Sequence, residues 1–266
     1  MTNKKIIELD VLRAICALAV IAIHVTADYT NIKSFSILQI TLVYINNISQ
    51  FSVSGFIFIS GISLYNKYNN LSDICAFYRT RFIKIMPTYL IFSIFYLCFS
   101  MVIIFFNTHK IEINLIKIFY RLLTGGAFYH LWYFCILFQF YLAYPFLLFL
   151  YKKNYKIVLL STFLIQYIWG FFGKNIIDFF ISLLGHDSIS IPFIFSNIFL
   201  FVLSFFFLEK KEKILNYINI KISLFLVISI NIIRTLPYYY GLQYFSYETI
   251  PTYYFNILSA VNPVFF

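Results

Sequence analysis

Apolar residues run along this chain in long unbroken stretches, separated by short polar and basic segments. The stretches are Val11–Ala27, Ile48–Tyr65, Ile85–Phe106, Phe128–Tyr151, Ile157–Phe172, Ile191–Leu208, Ile222–Ile233 and Pro251–Phe266. A helix rises about 1.5 Å per residue and a bilayer core is about 30 Å thick, so about 20 mostly apolar residues make one span. Strands of a membrane barrel are shorter and alternate apolar with polar positions. These runs are long and do not alternate. They predict about eight transmembrane helices, an all-α bundle in one domain over residues 1–266. Ser36–Tyr44 is apolar but short, and reads as an interfacial or re-entrant piece leading into the second span. The longest polar interval, Asn107–Ala127, is too short to fold alone, and no repeat at a fixed period is present.

Composition strengthens this picture. Hydrophobic residues make up 62% of the chain and charged residues 11%, against about 45–50% and about 25% for a soluble domain. So few charges cannot cover a water-facing surface, which excludes a soluble globular, disordered or disulfide-framed chain. The net charge of +10 does not indicate nucleic-acid binding, because the basic residues sit in short segments between apolar runs. That placement suits loops facing anionic membrane lipids. None of the four cysteines forms a CxxC pair and no two histidines have ligand spacing, so no metal is expected.

Counting Lys and Arg sets the orientation. The N-terminal segment and the even loops carry 14, the odd loops 6. This excess predicts a cytoplasmic N-terminus in the cell membrane. The third loop, with Lys110, Lys117 and Arg121, runs against the trend without reversing it.

The first span holds the most informative charges. At about 100° per residue, Asp10, Arg13, His24 and Asp28 fall within roughly 60° of one another, with Arg13 and His24 about 16 Å apart along the axis. Arg13 can be read as snorkelling to the inner headgroups. His24 follows ten apolar residues, and ionisable groups inside a span usually face the bundle interior and mark function. Histidine is also the side chain suited to proton transfer near neutral pH. Asp28 is either the group that orients its imidazole or an ordinary loop carboxylate. In the second loop, Arg79, Arg81 and Lys84 read as a positive-inside anchor. On charge alone the anchor is the better reading; the functional alternative is a phosphate clamp, since Arg81 and Lys84 lie one turn apart. Pro87 is expected in the first turn of the third helix.

Four segments then resemble the acyltransferase family 3 membrane proteins. "ELDVLRAICALAVIAIH" is similar to that family's first helix, with an Asp-x-x-Arg start and a closing histidine. "FIFISGISL" (Phe56–Leu64) resembles its second-span motif, "YRTRFIKIMPTYL" (Tyr78–Leu90) its basic motif, and "HLWYFCILFQFYLAYPFLL" (His130–Leu148) its His-x-Trp-Phe helix opening. Lys84 stands where the family usually has arginine, which removes bidentate phosphate geometry. Within the family there is some likeness to the intercellular adhesion polysaccharide proteins of Gram-positive bacteria.

The resemblance implies a bundle of about ten spans that moves an acyl group, most often acetyl, from cytoplasmic acyl-CoA to a hydroxyl of an envelope polysaccharide or lipid-linked glycan. It implies His24, Arg13 and Asp10 as catalytic residues and Arg79, Arg81 and Lys84 as donor-binding residues. Acyl-CoA would be a substrate, with no permanently bound cofactor. His24 would act as general base or carry the acyl group itself. The alternative is an exporter of a poly-N-acetylglucosamine type polymer, with the polar face of the first helix lining a passage. The sequence stops at Phe266 inside an apolar run, which predicts further spans downstream.

Overall fold

The computed structural model describes residues 6–30, 36–109, 115–128, 131–184 and 193–217, with residues 221, 228, 229 and 232 beyond them. They form α1 (Ile7–Thr26), continued by a 3-10 turn at Ala27–Thr30, then α2 (Ile37–Ser49), α3 (Phe51–Tyr68) and α4 (Ile74–Thr108). After these come α5 (Leu115–Thr124), α6 (Trp132–Lys153), α7 (Tyr155–Leu184), a 3-10 turn at Ile194–Ser196, and α8 (Ile198–Tyr217). No strand occurs among the described residues. Among the described residues, five stretches are long and apolar enough to cross a membrane: Ile7–Tyr29, Ile37–Tyr68, Ile74–Asn107, Trp132–Lys153 and Tyr155–Gly173. The chain is an all-α, multi-pass membrane protein. The expected spans at Pro251–Phe266 and, apart from residues 228, 229 and 232, at Ile222–Ile233 lie outside the described residues.

Two expectations about boundaries change. The short apolar piece at Ser36–Tyr44 belongs to a helix of its own, α2, which Ser36 starts by accepting the Gln39 backbone N–H at 3.1 Å. It runs into α3 across a break at Gln50, whose N–H bonds the Asn47 carbonyl. The third apolar helix begins eleven residues before Ile85, at Ile74, where Asp73 caps the Ala76 N–H at 2.9 Å. The basic segment is therefore helical, and Pro87 lies inside α4 rather than in its first turn. Apolarity reports depth in lipid, whereas helix ends are set by caps. Pro87 takes from α4 the N–H that would bond the Ile83 carbonyl, and Pro145 does the same in α6 to the Tyr141 carbonyl.

The chain divides into two compact units. The first comprises Met1–Asn69, Tyr155–Phe171 and Asn197–Phe266. Lipid tails are as apolar as leucine, so helices in a membrane associate through close packing and interhelical hydrogen bonds. This unit uses both. A Cβ on Gly61 of α3 would lie 2.8 Å from the Phe201 carbonyl and against the Ser204 hydroxyl of α8. A Cβ on Gly55 would lie 2.7 Å from Cys16 Sγ of α1. The Ser60-Gly61 motif thus lets α3 and α8 approach at backbone distance. Ser54 donates to Asn197 at 2.9 Å and Tyr65 donates to Glu209, so α3 and α8 run parallel. Gln166 of α7 accepts the Phe199 N–H at 3.0 Å, in the first turn of α8, where backbone N–H groups have no partner within the helix.

The second unit comprises Asn70–Asn154 and Phe172–Ser196. Here α4 and α6 run antiparallel, joined by a stack of Phe77 on Tyr144 and by Tyr89 against Phe134 and Phe138. Phe77 and Tyr144 are fully buried. The Tyr78 hydroxyl donates to the Leu142 carbonyl at 2.9 Å, three residues before Pro145. Gly125 makes the turn after α5 at φ 76°, where a Cβ would meet the Trp132 backbone at 2.7 Å. Glycine at 125 is therefore a steric requirement of this turn.

Candidate active site

In the first unit, the acidic and basic residues of α1 are joined to its neighbours. Arg13 lies one turn beyond Asp10, and its Nη1 donates to Asp10 Oδ1 at 2.5 Å. Its Nη2 donates to Ser63 Oγ of α3 at 2.8 Å. The guanidinium fork therefore spans two helices, a task that a lysine ammonium cannot perform with the same fixed geometry. Glu8 pairs with Lys211 of α8 at 3.6 Å, and Tyr65, stacked on Phe205, donates to Glu209. One end of this unit thus gathers Glu8, Asp10, Arg13, Ser63 and the charged tail of α8. Asp10 and Arg13 are both about two-fifths exposed, so the pair is partly open.

His24 stands in the last turn of α1, exposed within the unit. The backbone around it is held by a buried polar set on α2 that sequence reasoning missed. Asn46 Nδ2 donates to the Ile23 carbonyl at 3.0 Å and to Thr26 Oγ1 at 2.9 Å. Thr26 Oγ1 in turn donates to the Ala22 carbonyl at 2.7 Å. Gln50 donates to Asn46 Oδ1 at 3.0 Å, and Gln39 donates to the Tyr29 carbonyl at 3.2 Å. Thr26, Gln39 and Asn46 are all buried. The missed signal was the spacing: Gln39, Asn46 and Gln50 share one face of an otherwise apolar segment. Asp28 lies in the exposed 3-10 turn that follows α1.

The second unit carries the basic residues on the first turns of α4. Phe77, Arg81 and Lys84 fall within about 60° of one another around the helix, and Arg79 lies about 160° away from both Phe77 and Arg81. Arg81 is half-buried, with its Cζ 5.9 Å from the Phe77 ring centre and 5.6 Å from that of Tyr141 on α6. Lys84 and Arg79 are exposed. The helix therefore keeps Arg81 and Lys84 together and directs Arg79 elsewhere. His130, which opens the segment similar to the family's His-x-Trp-Phe motif, lies outside the described residues.

The first unit offers an imidazole on a firmly held helix end and an arginine–carboxylate pair on the same helix; the second, by itself, offers a cation flanked by aromatic rings. Acyl transfer uses each of these: a proton acceptor, a charge that positions polar groups in an apolar medium, and a phosphate ligand. No curated protein and no solved structure matches the chain. The model of one family, described as an acyltransferase domain, matches residues 6–262, nearly the whole length. The chain belongs to acyltransferase family 3.

Proposed function

We propose that this membrane acyltransferase takes an acyl group, acetyl in the simplest case, from cytoplasmic acyl-CoA to a hydroxyl of an envelope or exported polysaccharide or its lipid-linked form. His24 takes the proton of the acceptor hydroxyl as that oxygen attacks the thioester carbonyl. The tetrahedral adduct then collapses, the C–S bond breaks, and the coenzyme A thiolate recovers the proton. A route through an acyl-histidine uses the same residue as nucleophile, with the acceptor attacking in a second step. Arg13, braced by Asp10 and Ser63, holds the polar face of α1. Arg81 and Lys84 bind donor phosphates, with Arg79 as a further basic contact.

The observation that carries this reading is the placement of His24 on a helix end fixed through its own backbone by Asn46. A general base needs its geometry held within a fraction of an ångström, and a buried hydrogen-bonded clasp supports that. The test is acetyl-CoA labelled in its acyl group, supplied to the cytoplasmic face of membranes carrying the chain together with an acceptor polysaccharide. Label should enter the polymer as a base-labile ester, and free thiol should accumulate in equal amount. Movement of polymer without donor consumption would replace the transferase by an exporter.

A further inference from the structure

Arg13 is held from two helices at once. Its Nη1 donates to Asp10 on its own helix at 2.5 Å, and its Nη2 donates to the Ser63 hydroxyl of α3 at 2.8 Å. One contact would let the guanidinium swing about it; two contacts on different nitrogens fix its plane. A guanidinium carries five N–H groups, so this bridge engages two and aims the rest. About two-fifths of the Arg13 side chain is exposed, which leaves an open side where a further acceptor can meet it. Asp10 decides which acceptor suits that side. Its carboxylate sets a negative charge against the positive one, so the bridge is rich in donors but low in net charge. A phosphate would meet both charges and gain little. A neutral carbonyl needs donors rather than charge, and in an apolar medium it needs them badly.

We propose that Ser63 is a positioning residue for the acyl donor: with Asp10 it fixes the Arg13 guanidinium to receive an amide carbonyl of the donor's pantetheine arm. This rests on the reading of acyl-CoA as the donor. Arg13 and His24 lie within about 20° of one another around α1 and about 16 Å apart along it. In acyl-CoA the two amides of the arm lie between the thioester and the phosphates. A donor that enters from the Arg13 end and brings its thioester to His24 therefore lays an amide back toward Arg13. The role belongs to the hydroxyl oxygen of Ser63, which accepts the Nη2 proton.

The test measures binding of three ligands to the purified full chain by calorimetry. They are coenzyme A, an analogue with each amide of the arm replaced by a two-carbon link, and adenosine 3′,5′-bisphosphate, which has phosphates and no arm. Ser63→Ala should weaken coenzyme A by roughly three- to tenfold and leave the other two ligands within about twofold of the parent. Ser63→Cys keeps the volume but accepts hydrogen bonds weakly, and should follow Ser63→Ala. Ser63→Thr keeps the hydroxyl and should restore coenzyme A binding to within about twofold. The serine effect and the amide effect should thus be coupled rather than additive. Equal weakening of coenzyme A and the amide-free analogue overturns the inference, since Ser63 would then act without the amides. Weakening of the bisphosphate as well overturns it too, because Arg13 would then serve the phosphates or the fold. Undiminished coenzyme A binding by both Ser63→Ala and Ser63→Cys overturns it while acyl-CoA stands as donor. A parent chain that does not bind coenzyme A removes the donor reading and this inference together.

Discussion

The side-chain amide of Asn46 donates to the backbone carbonyl of Ile23 at 3.0 Å, one residue before His24. The same amide reaches Thr26 Oγ1 at 2.9 Å, so one buried side chain brackets the histidine on both sides. Both bonds join groups far apart in sequence, and neither touches the imidazole. They fix where the α1 backbone ends and therefore the direction from which His24 leaves it.

Asn46→Leu should separate positioning from chemistry. The leucine fits the volume but leaves the Ile23 carbonyl and Thr26 hydroxyl with one partner fewer, which costs about 1–2 kcal/mol of stability. Turnover should fall about tenfold with donor KM nearly unchanged, because the proposed donor-phosphate ligands, Arg81 and Lys84, are on α4. Thermal unfolding in detergent and initial rates check the two halves. Full turnover in a destabilised Asn46→Leu chain would show that the clasp serves folding alone.

Gly61→Ala tests the α3–α8 approach. The added methyl would sit 2.8 Å from the Phe201 carbonyl, so the helices must part, and overpacking of this kind costs about 1–3 kcal/mol. Adding Ser204→Ala removes the second obstruction, the hydroxyl, but not the carbonyl, so rescue should be partial. Complete rescue would place the whole constraint on the serine side chain. The readout is the unfolding midpoint of each variant.

These two sites show where sequence reading stops. Long apolar runs identify helices in lipid because an exposed backbone polar group is intolerable there, and that part of the fold was legible. The ends were not: Ile74 starts α4 because Asp73 caps it, within a stretch too polar to read as a span. The candidate site divided in the same way. Asp10, Arg13 and His24 share a helix face and were legible from the period alone. Ser63, Asn46 and Tyr141 meet Arg13, the Ile23 carbonyl and Arg81 on other helices, and no local pattern carries such a pairing. Helical phase also divides the basic trio, taking Arg79 to a face away from Arg81.

Orientation can be read with native and introduced cysteines in the second unit. Cys75 is exposed at the basic start of α4, and His109, also exposed, caps the other end of that helix. With Cys16, Cys98 and Cys135 replaced by serine or alanine, an impermeant thiol reagent added to intact cells should label His109→Cys and leave Cys75 untouched. Permeabilised cells should label both. Labelling of Cys75 in intact cells would reverse the 14-to-6 assignment from the basic residues.

The sharpest test falls on His24. His24→Ala should abolish acyl transfer while membrane insertion and abundance stay close to the parent, because alanine enters a span more readily than histidine and suits the last turn of a helix. His24→Gln adds a second discrimination. Glutamine keeps a polar side chain able to donate and accept hydrogen bonds, but has no nitrogen that takes up a proton near neutral pH. If His24 moves a proton or carries the acyl group, the glutamine variant should be as inactive as the alanine one, a loss of at least about 100-fold. Near-normal turnover with glutamine would make His24 a hydrogen-bonding residue and send the search for the base to Asp28, four residues further along the chain, or to His130. Measuring abundance beside turnover assigns the loss to chemistry, since the Asn46 clasp binds backbone and is left intact by either substitution.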